Sequence, residues 1–215
     1  TDRISVLAER LGLWALLIKL ANGVLRERVQ RNNTLERALD YIERALDKRG
    51  LRAFDARNPS HRHNAISTTL SISFDQLTAD EYERYLELAI FPDDVEIPLA
   101  ELARLWGRTG DLDELDVEDV CSHFHSLSLI IDFDLGRNIL KLHDSIRHYL
   151  RDEISEDRIV EINNAYLDSF DLDEWADMEL NNHYGWLYLS FHMAEAQRYA
   201  ELLATAQDLR YLSTK

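Results

Sequence analysis

The feature that most constrains this chain is residues 140–150, LKLHDSIRHYL, where a short apolar alternation runs directly into a helical period. Leu140 and Leu142 share one face of a strand, because successive strand side chains point to opposite sides. Ile146, Tyr149 and Leu150 then recur at the spacing of one buried helical face. His143 and Asp144 stand at the joint, with Asp144 where an N-cap carboxylate would accept the free N–H groups of the first turn. Upstream, residues 127–133 read as a second strand and residues 134–137 as the turn that joins the two into a hairpin, a wing. Elsewhere apolar residues recur at helical spacing, and the chain holds only seven glycines and three prolines. The expected class is mainly α, with strands confined to the wing.

In order along the chain, residues 2–11 form an amphipathic helix through Ile4, Leu7, Ala8 and Leu11, which Gly12 can end in a left-handed cap. A second helix over residues 14–30 buries Leu16, Leu17, Leu20, Ala21, Val24 and Leu25. Asn33 can cap a third, with Glu36 as reciprocal partner and Gly50 as stop, completing a small helical bundle. Residues 51–59 have no period and read as a linker. His61 and His63 lack a nearby cysteine or carboxylate cluster, so solvated loop histidines are a plainer reading than a metal pair. A helix from Ala65 to about Leu77 follows, then one capped by Thr78 or Asp80, a loop at residues 90–94, and a short helix begun by Ile97-Pro98. Residues 116–127 supply another helix before the wing. Ser155 caps residues 157–170, and the aromatic-rich residues 181–212 fit a stacked helical hairpin.

Composition bounds the function. The chain has 215 residues, 46% of them hydrophobic, which is enough for one or two ordinary cores. It begins with Thr1 inside a helical pattern, so a piece of a longer protein is expected. Forty acidic residues against 24 basic ones give a net charge of −16, which opposes non-specific binding to nucleic acid or anionic lipid. The single cysteine, Cys121, cannot form an internal disulfide, and a reducing cytoplasm is expected. The most apolar run, residues 11–25, is interrupted by Lys19 and Asn22 and is too short to span a bilayer. The glycines stand at 12, 23, 50, 107, 110, 136 and 185, and none opens a phosphate-binding P-loop, so this chain is not expected to be an enzyme. His143, Asp144 and Ser145 make no hydrolase triad, since adjacent residues cannot converge as nucleophile, base and orienter.

Two stretches carry a family resemblance. Leu142-His143-Asp144 resembles the methionine-histidine-aspartate signature of NB-ARC proteins, the STAND-class ATPase switches. Residues 11–26, LGLWALLIKLANGVLR, are similar to that family's GLPLA motif in its glycine-x-tryptophan-proline-leucine-leucine version. Residues 70–77 resemble the family's entry helix into its winged-helix domain. Trp175, Tyr184, Trp186, Leu189, His192, Ala196 and Leu203 resemble the helical domain that follows in apoptosome-factor-like members.

The resemblance implies a first helical domain over residues 1–58, a winged-helix domain over 59–154 and a C-terminal helical domain over 155–215. It implies the regulatory, ADP-sensing and autoinhibitory part of a switch that closes over ADP bound by a missing N-terminal P-loop domain and controls oligomerisation. In this reading His143 touches the β-phosphate of ADP as an imidazolium, Trp14, Ala15 and Leu16 lie at the nucleotide, and Asp144 is a structural cap. ADP or ATP would be held by the intact parent, not tightly by this piece. Further implied partners are C-terminal sensor repeats of the WD-type propeller and a homo-oligomer on activation. One departure weakens the expected grip on nucleotide: the family has proline, which helps wall the adenine pocket, where this chain has Ala15.

Two alternatives need no nucleotide: a winged-helix DNA reader and a helical interaction module. The helix over residues 116–127 carries Asp116, Glu118 and Asp119 and no lysine or arginine, so it would meet phosphates with repulsion. Random duplex DNA should therefore not be retarded by the chain in a gel at roughly 50 mM salt, where phosphate contacts are exaggerated. Tight retardation there would favour the DNA reader.

Overall fold

The structure is a computed structural model that describes residues 2–51 and 59–214. Among these residues it is mainly α, with one small antiparallel sheet. The linker read from the sequence falls, apart from Leu51 and Pro59, outside the described residues.

Helices α1 (Asp2–Arg10), α2 (Ala15–Gln30) and α3 (Leu35–Lys48) form the expected bundle, closed on Leu7, Leu11, Leu17, Leu20, Val24, Ile42 and Leu46. Gly12 and Gly50 both take positive φ, +65° and +84°, as helix-ending residues without a Cβ can. Thr34, not Asn33, caps α3, its hydroxyl accepting the Arg37 N–H at 3.3 Å. Asn32 occupies the left-handed position of the turn (φ 64°), and the cap falls two residues later.

Helix α4 (Pro59–Phe74) begins earlier than its apolar period and carries His61 and His63, which two residues apart on a helix do not face one another. Helix α5 (Ala79–Glu87) opens with a Thr78–Glu81 capping box and runs into a 3-10 turn, Leu88–Ile90. Strand β1 (Glu96–Pro98) comes next, where a helix start was expected. Pro98 ends that strand in extended backbone and stands as N-cap of α6 (Leu99–Gly110), a position its missing N–H also tolerates.

After α7 (Glu114–Ser126), β2 (Asp132–Asp134) and β3 (Ile139–Lys141) form the expected hairpin, with β1 on the far side of β3. Ile97, Leu140 and Phe133 stand in register across the three strands, so one apolar row faces the core. The strand expected over residues 127–133 is shorter. Leu127 caps α7, Ser128 takes positive φ (60°), and Leu129 and Ile130 are buried in a crossing segment before pairing resumes, Ile131 N–H donating to Lys141 O at 2.8 Å. An unbroken apolar run here marks a buried crossing, which alternation-based reading takes for strand.

Helices α8 (Asp144–Glu153), α9 (Glu156–Asp168), α10 (His183–Glu195), α11 (Tyr199–Gln207) and α12 (Leu209–Thr214) complete the chain. Trp106, Phe124 and Tyr85 pack edge to face at its centre, with the Tyr85 hydroxyl donating to Leu129 O at 2.8 Å. Between α9 and α10, His192 is fully buried, held by Asn163 Oδ1 at 2.7 Å and the Tyr184 hydroxyl at 2.8 Å. Burial lowers its pKa to about 3, so the ring is neutral and joins the two helices as a donor and an acceptor.

The bundle meets the rest of the chain mainly through α2, with α3 also reaching the end of α4 through Tyr41 and Arg49 to Asp75. A Cβ on Gly23 would stand 2.2 Å from the Leu127 carbonyl oxygen, so only a glycine lets α2 approach the end of α7 this closely. Gly23→Ala should therefore cost about 1–3 kcal/mol despite alanine's better helix propensity. Urea denaturation would show this as a lower midpoint at unchanged slope, and an unchanged or raised midpoint would contradict the close packing.

Candidate functional site

The close approach of α2 to α7 sets the N-terminus of α2 opposite the joint between β3 and α8. Ala15, Leu16 and Lys19 of α2, Ser128, Ile130 and Ile131 of the crossing segment, and His143 and Ile146 line one cleft of about 150 Å³. The sequence marked Ala15, Leu16 and His143 on separate grounds, and the fold brings all three to this cleft. Trp14 is the N-cap residue of α2, in extended backbone and half-buried, but does not line it. Larger clefts exist, such as one of about 390 Å³ lined by Asp80, Glu81, Asp111, Asp116 and Asp119, but none joins the marked stretches.

The cap at this joint differs from the expected one. His143 itself holds the N-cap position, its Nδ1 accepting the Ser145 N–H at 3.2 Å, and Asp144 is the exposed first residue of α8. Both residue types can accept from a helix start, and the extended backbone of His143 (φ −81°, ψ 131°) decides between them. With Nδ1 accepting, the neutral ring carries its proton on Nε2. Burial lowers the pKa of His143 below the ordinary 6.5. Asp144 pulls it up, and Lys19 pushes it down. Without a ligand the ring is thus a neutral cap with one N–H to offer.

Lys19 was missed as a site residue. A lysine inside an apolar helical run reads as a break in the buried face, yet it lies four residues after Ala15 and so shares its side of α2. Ser128 carried no sequence signal at all, since its place depends on the turn that closes α7.

The two arginines of α8 are engaged elsewhere and are not free for a nucleic-acid backbone. Arg147 is buried, donating through Nη1 to Asp93 at 2.6 Å and through Nε to the Phe91 carbonyl, and Arg151 pairs with Glu195 at 2.6 Å.

Comparison with known proteins finds distant similarity, over most of the chain, to one kind of large signalling protein. The particular relative is apoptotic protease-activating factor 1. The Homo sapiens protein is 27% identical over 173 residues, covering 74% of this chain and 13% of that protein. The Mus musculus protein is 27% identical over the same shares. The Danio rerio protein is 24% identical over 207 residues, 93% of this chain and 15% of that protein. The chain thus spans 13–15% of the length of these relatives. No protein-family model matches the chain. Among the described residues, no helix is long and apolar enough to cross a membrane.

His143 has a folded-state pKa below its unfolded value. Its contribution to stability is therefore present above about pH 6.5 and lost as pH falls through the lowered value. His143→Ala should accordingly cost about 1 kcal/mol near pH 7 to 8, and less on acidification, because a protonated ring can no longer accept the Ser145 N–H. Denaturation midpoints of both proteins across that range check this. A penalty that grows as pH falls would assign the cap elsewhere.

Proposed function

We propose that this chain is the regulatory part of an NB-ARC-like signalling switch. In this reading α1–α3 are the end of a first helical domain, α4–α8 with the sheet a winged-helix domain, and α9–α12 a following helical domain. The three close over ADP held by an N-terminal P-loop domain of the intact parent and restrain its assembly until they swing away. The parent would be a cytoplasmic protein carrying WD-type sensor repeats beyond this chain and forming a homo-oligomer when active.

The observation that supports this most is the single cleft at which His143 meets Ala15 and Leu16, the two resembling motifs. The similarity to apoptotic protease-activating factor 1 over 74–93% of the chain supports it at family level. Ala15 supplies less wall than a proline ring, so the adenine side of the site is weaker and the phosphate side carries more of the contact.

Because His143 would reach ADP only in the closed arrangement, its hydrogen bond acts on that state alone and shifts the switch. One hydrogen bond to a charged group corresponds to roughly a tenfold to 150-fold change in affinity. ADP affinity of the full-length protein should fall by that factor in His143→Ala. The wild-type value should change little between about pH 7 and pH 8, since the neutral ring already offers Nε2–H. Equal affinities of wild type and His143→Ala would reduce the residue to a helix cap.

A further inference from the structure

Glu87 ends α5 with its side chain wholly buried where α5, α6 and α9 meet. Each of these helices brings groups to face it. From α5, Arg84 Nη2 lies 2.9 Å from Oε1, and Glu83 adds a like charge. From α6, the Thr109 hydroxyl stands 2.9 Å from Oε2. From α9, Arg158 Nη2 lies 3.9 Å from Oε1, but it is also 3.8 Å from Glu83, and its Nη1 pairs with Glu161 at 2.7 Å. The 3-10 turn that follows, Leu88–Ile90, brings only apolar side chains, and the two arginines of α8, which packs on that turn, are paired with Asp93 and Glu195. Among the described residues Oε1 accepts no hydrogen bond and Arg84 Nε donates none. The ionised acid is thus held by charge more than by hydrogen bonds, a poor return for burying it.

Thr109 gives the acid a second way to be satisfied. Its hydroxyl has one proton, within reach both of Glu87 Oε2 and of the Leu105 carbonyl at 3.1 Å. When Glu87 is ionised, that proton goes to the carboxylate. When Glu87 is protonated, the carboxyl O–H donates to Thr109 Oγ1 and the threonine proton turns to Leu105 O. Arg84 Nη1, at 2.9 Å, donates to Thr109 in both states. We propose that the junction of α5, α6 and α9 is a proton-linked latch, which docks α9 with a proton on Glu87 hydrogen-bonded to Thr109 and releases α9 when that proton leaves. The release is assigned to α9 because the Arg158 side chain is 38% exposed and meets Glu87 by charge alone, whereas Arg84 and Thr109 are hydrogen-bonded to each other. Burial raises the pKa of Glu87 from 4.5 to about 7 in the docked form, against the opposing pulls of Arg84, Thr109 and Arg158. A carboxylate reached by water would return to the ordinary value. Docking therefore takes up a proton, and its advantage is present below about pH 4.5 and lost as pH rises through about 7. Between about pH 6 and pH 8 this shifts the release equilibrium about tenfold.

The test compares the 215-residue wild type with Glu87→Gln and Arg158→Gln across that range. Carboxyl-carbon NMR of the wild type should show Glu87 titrating near pH 7, and Arg158→Gln should move the midpoint up, since an opposing cation is gone. Amide hydrogen exchange in α9, divided by the intrinsic rate at each pH, should speed about tenfold from pH 6 to pH 8 in the wild type, while amides of α2 and α3 stay unchanged. Glu87→Gln, a neutral side chain that can donate to Thr109 as the protonated acid does, should keep α9 at its pH 6 protection throughout. A Glu87 midpoint near 4.5, pH-independent exchange of α9 in the wild type, or an α9 that still loosens with pH in Glu87→Gln would each overturn the proposal. The first two outcomes need no variant, so they decide the matter even if substitution at this buried site impairs folding.

Discussion

The contact between Gly23 and the Leu127 backbone governs the geometry on which the cleft depends. Helix α7 ends in carbonyls without helical partners, and α2 lies across that end, where Arg26 donates to Ser126 O at 2.9 Å. The Tyr85 hydroxyl holds Leu129 O from the core side, and Lys141 O holds the Ile131 N–H from the sheet. Three elements thus fix the segment from Ser126 to Ile131 within a few residues. Its position in turn fixes how far the start of α2 stands from the start of α8. A larger residue at position 23 would move α2 as a rigid rod, and the displacement would reach Lys19 about one turn away and Ala15 and Leu16 about two.

What could be read from the sequence follows from the range of each interaction. Helices announced by local signals were legible: the Thr78–Glu81 box, Ser155 ahead of α9, and the glycines at 12 and 50 all act within a few residues. Strand β1 was not, because its partner β3 lies some forty residues further on and three residues give no alternation of their own. Pro98 fits both a strand edge and a helix start, so it could not decide the matter. Asn33 against Thr34, and Asp144 against His143, are choices between neighbours that both can cap. Backbone dihedrals settle each, and composition does not reveal them. At the site, the two marked stretches were legible, and their meeting was implied by the family resemblance alone, since no local pattern encodes the Gly23 contact that brings them together.

Charge has been allotted in the same uneven way. Buried Glu87 shows the cost of placing an acid inside: burial raises its pKa to about 7 against the opposing pull of Arg84 and of the Thr109 hydroxyl, and Arg84 lies 2.9 Å away. Arg147 is matched similarly by Asp93 and the Phe91 carbonyl. Thr109 ties the Arg84–Glu87 pair of α5 to α6, the Arg147–Asp93 pair ties α8 to the loop before β1, and each pair uses up a cation. The cleft is left with Lys19 and no acid in its lining, in a protein with a large acidic excess.

The two nitrogens of His143 divide their tasks, and the division depends on charge. Nδ1 accepts from Ser145 only while it is unprotonated, so the start of α8 keeps its cap only while the ring is neutral. A bound anion favours the imidazolium and works against that cap, whereas burial and Lys19 both favour the neutral ring. Burial first, and Lys19 to a smaller extent, therefore support the neutral state on which the cap depends. In the neutral ring Nδ1 can hold the start of α8 while Nε2 carries the ring's proton, so the state that preserves the helix start is also the one that keeps a donor on the second nitrogen.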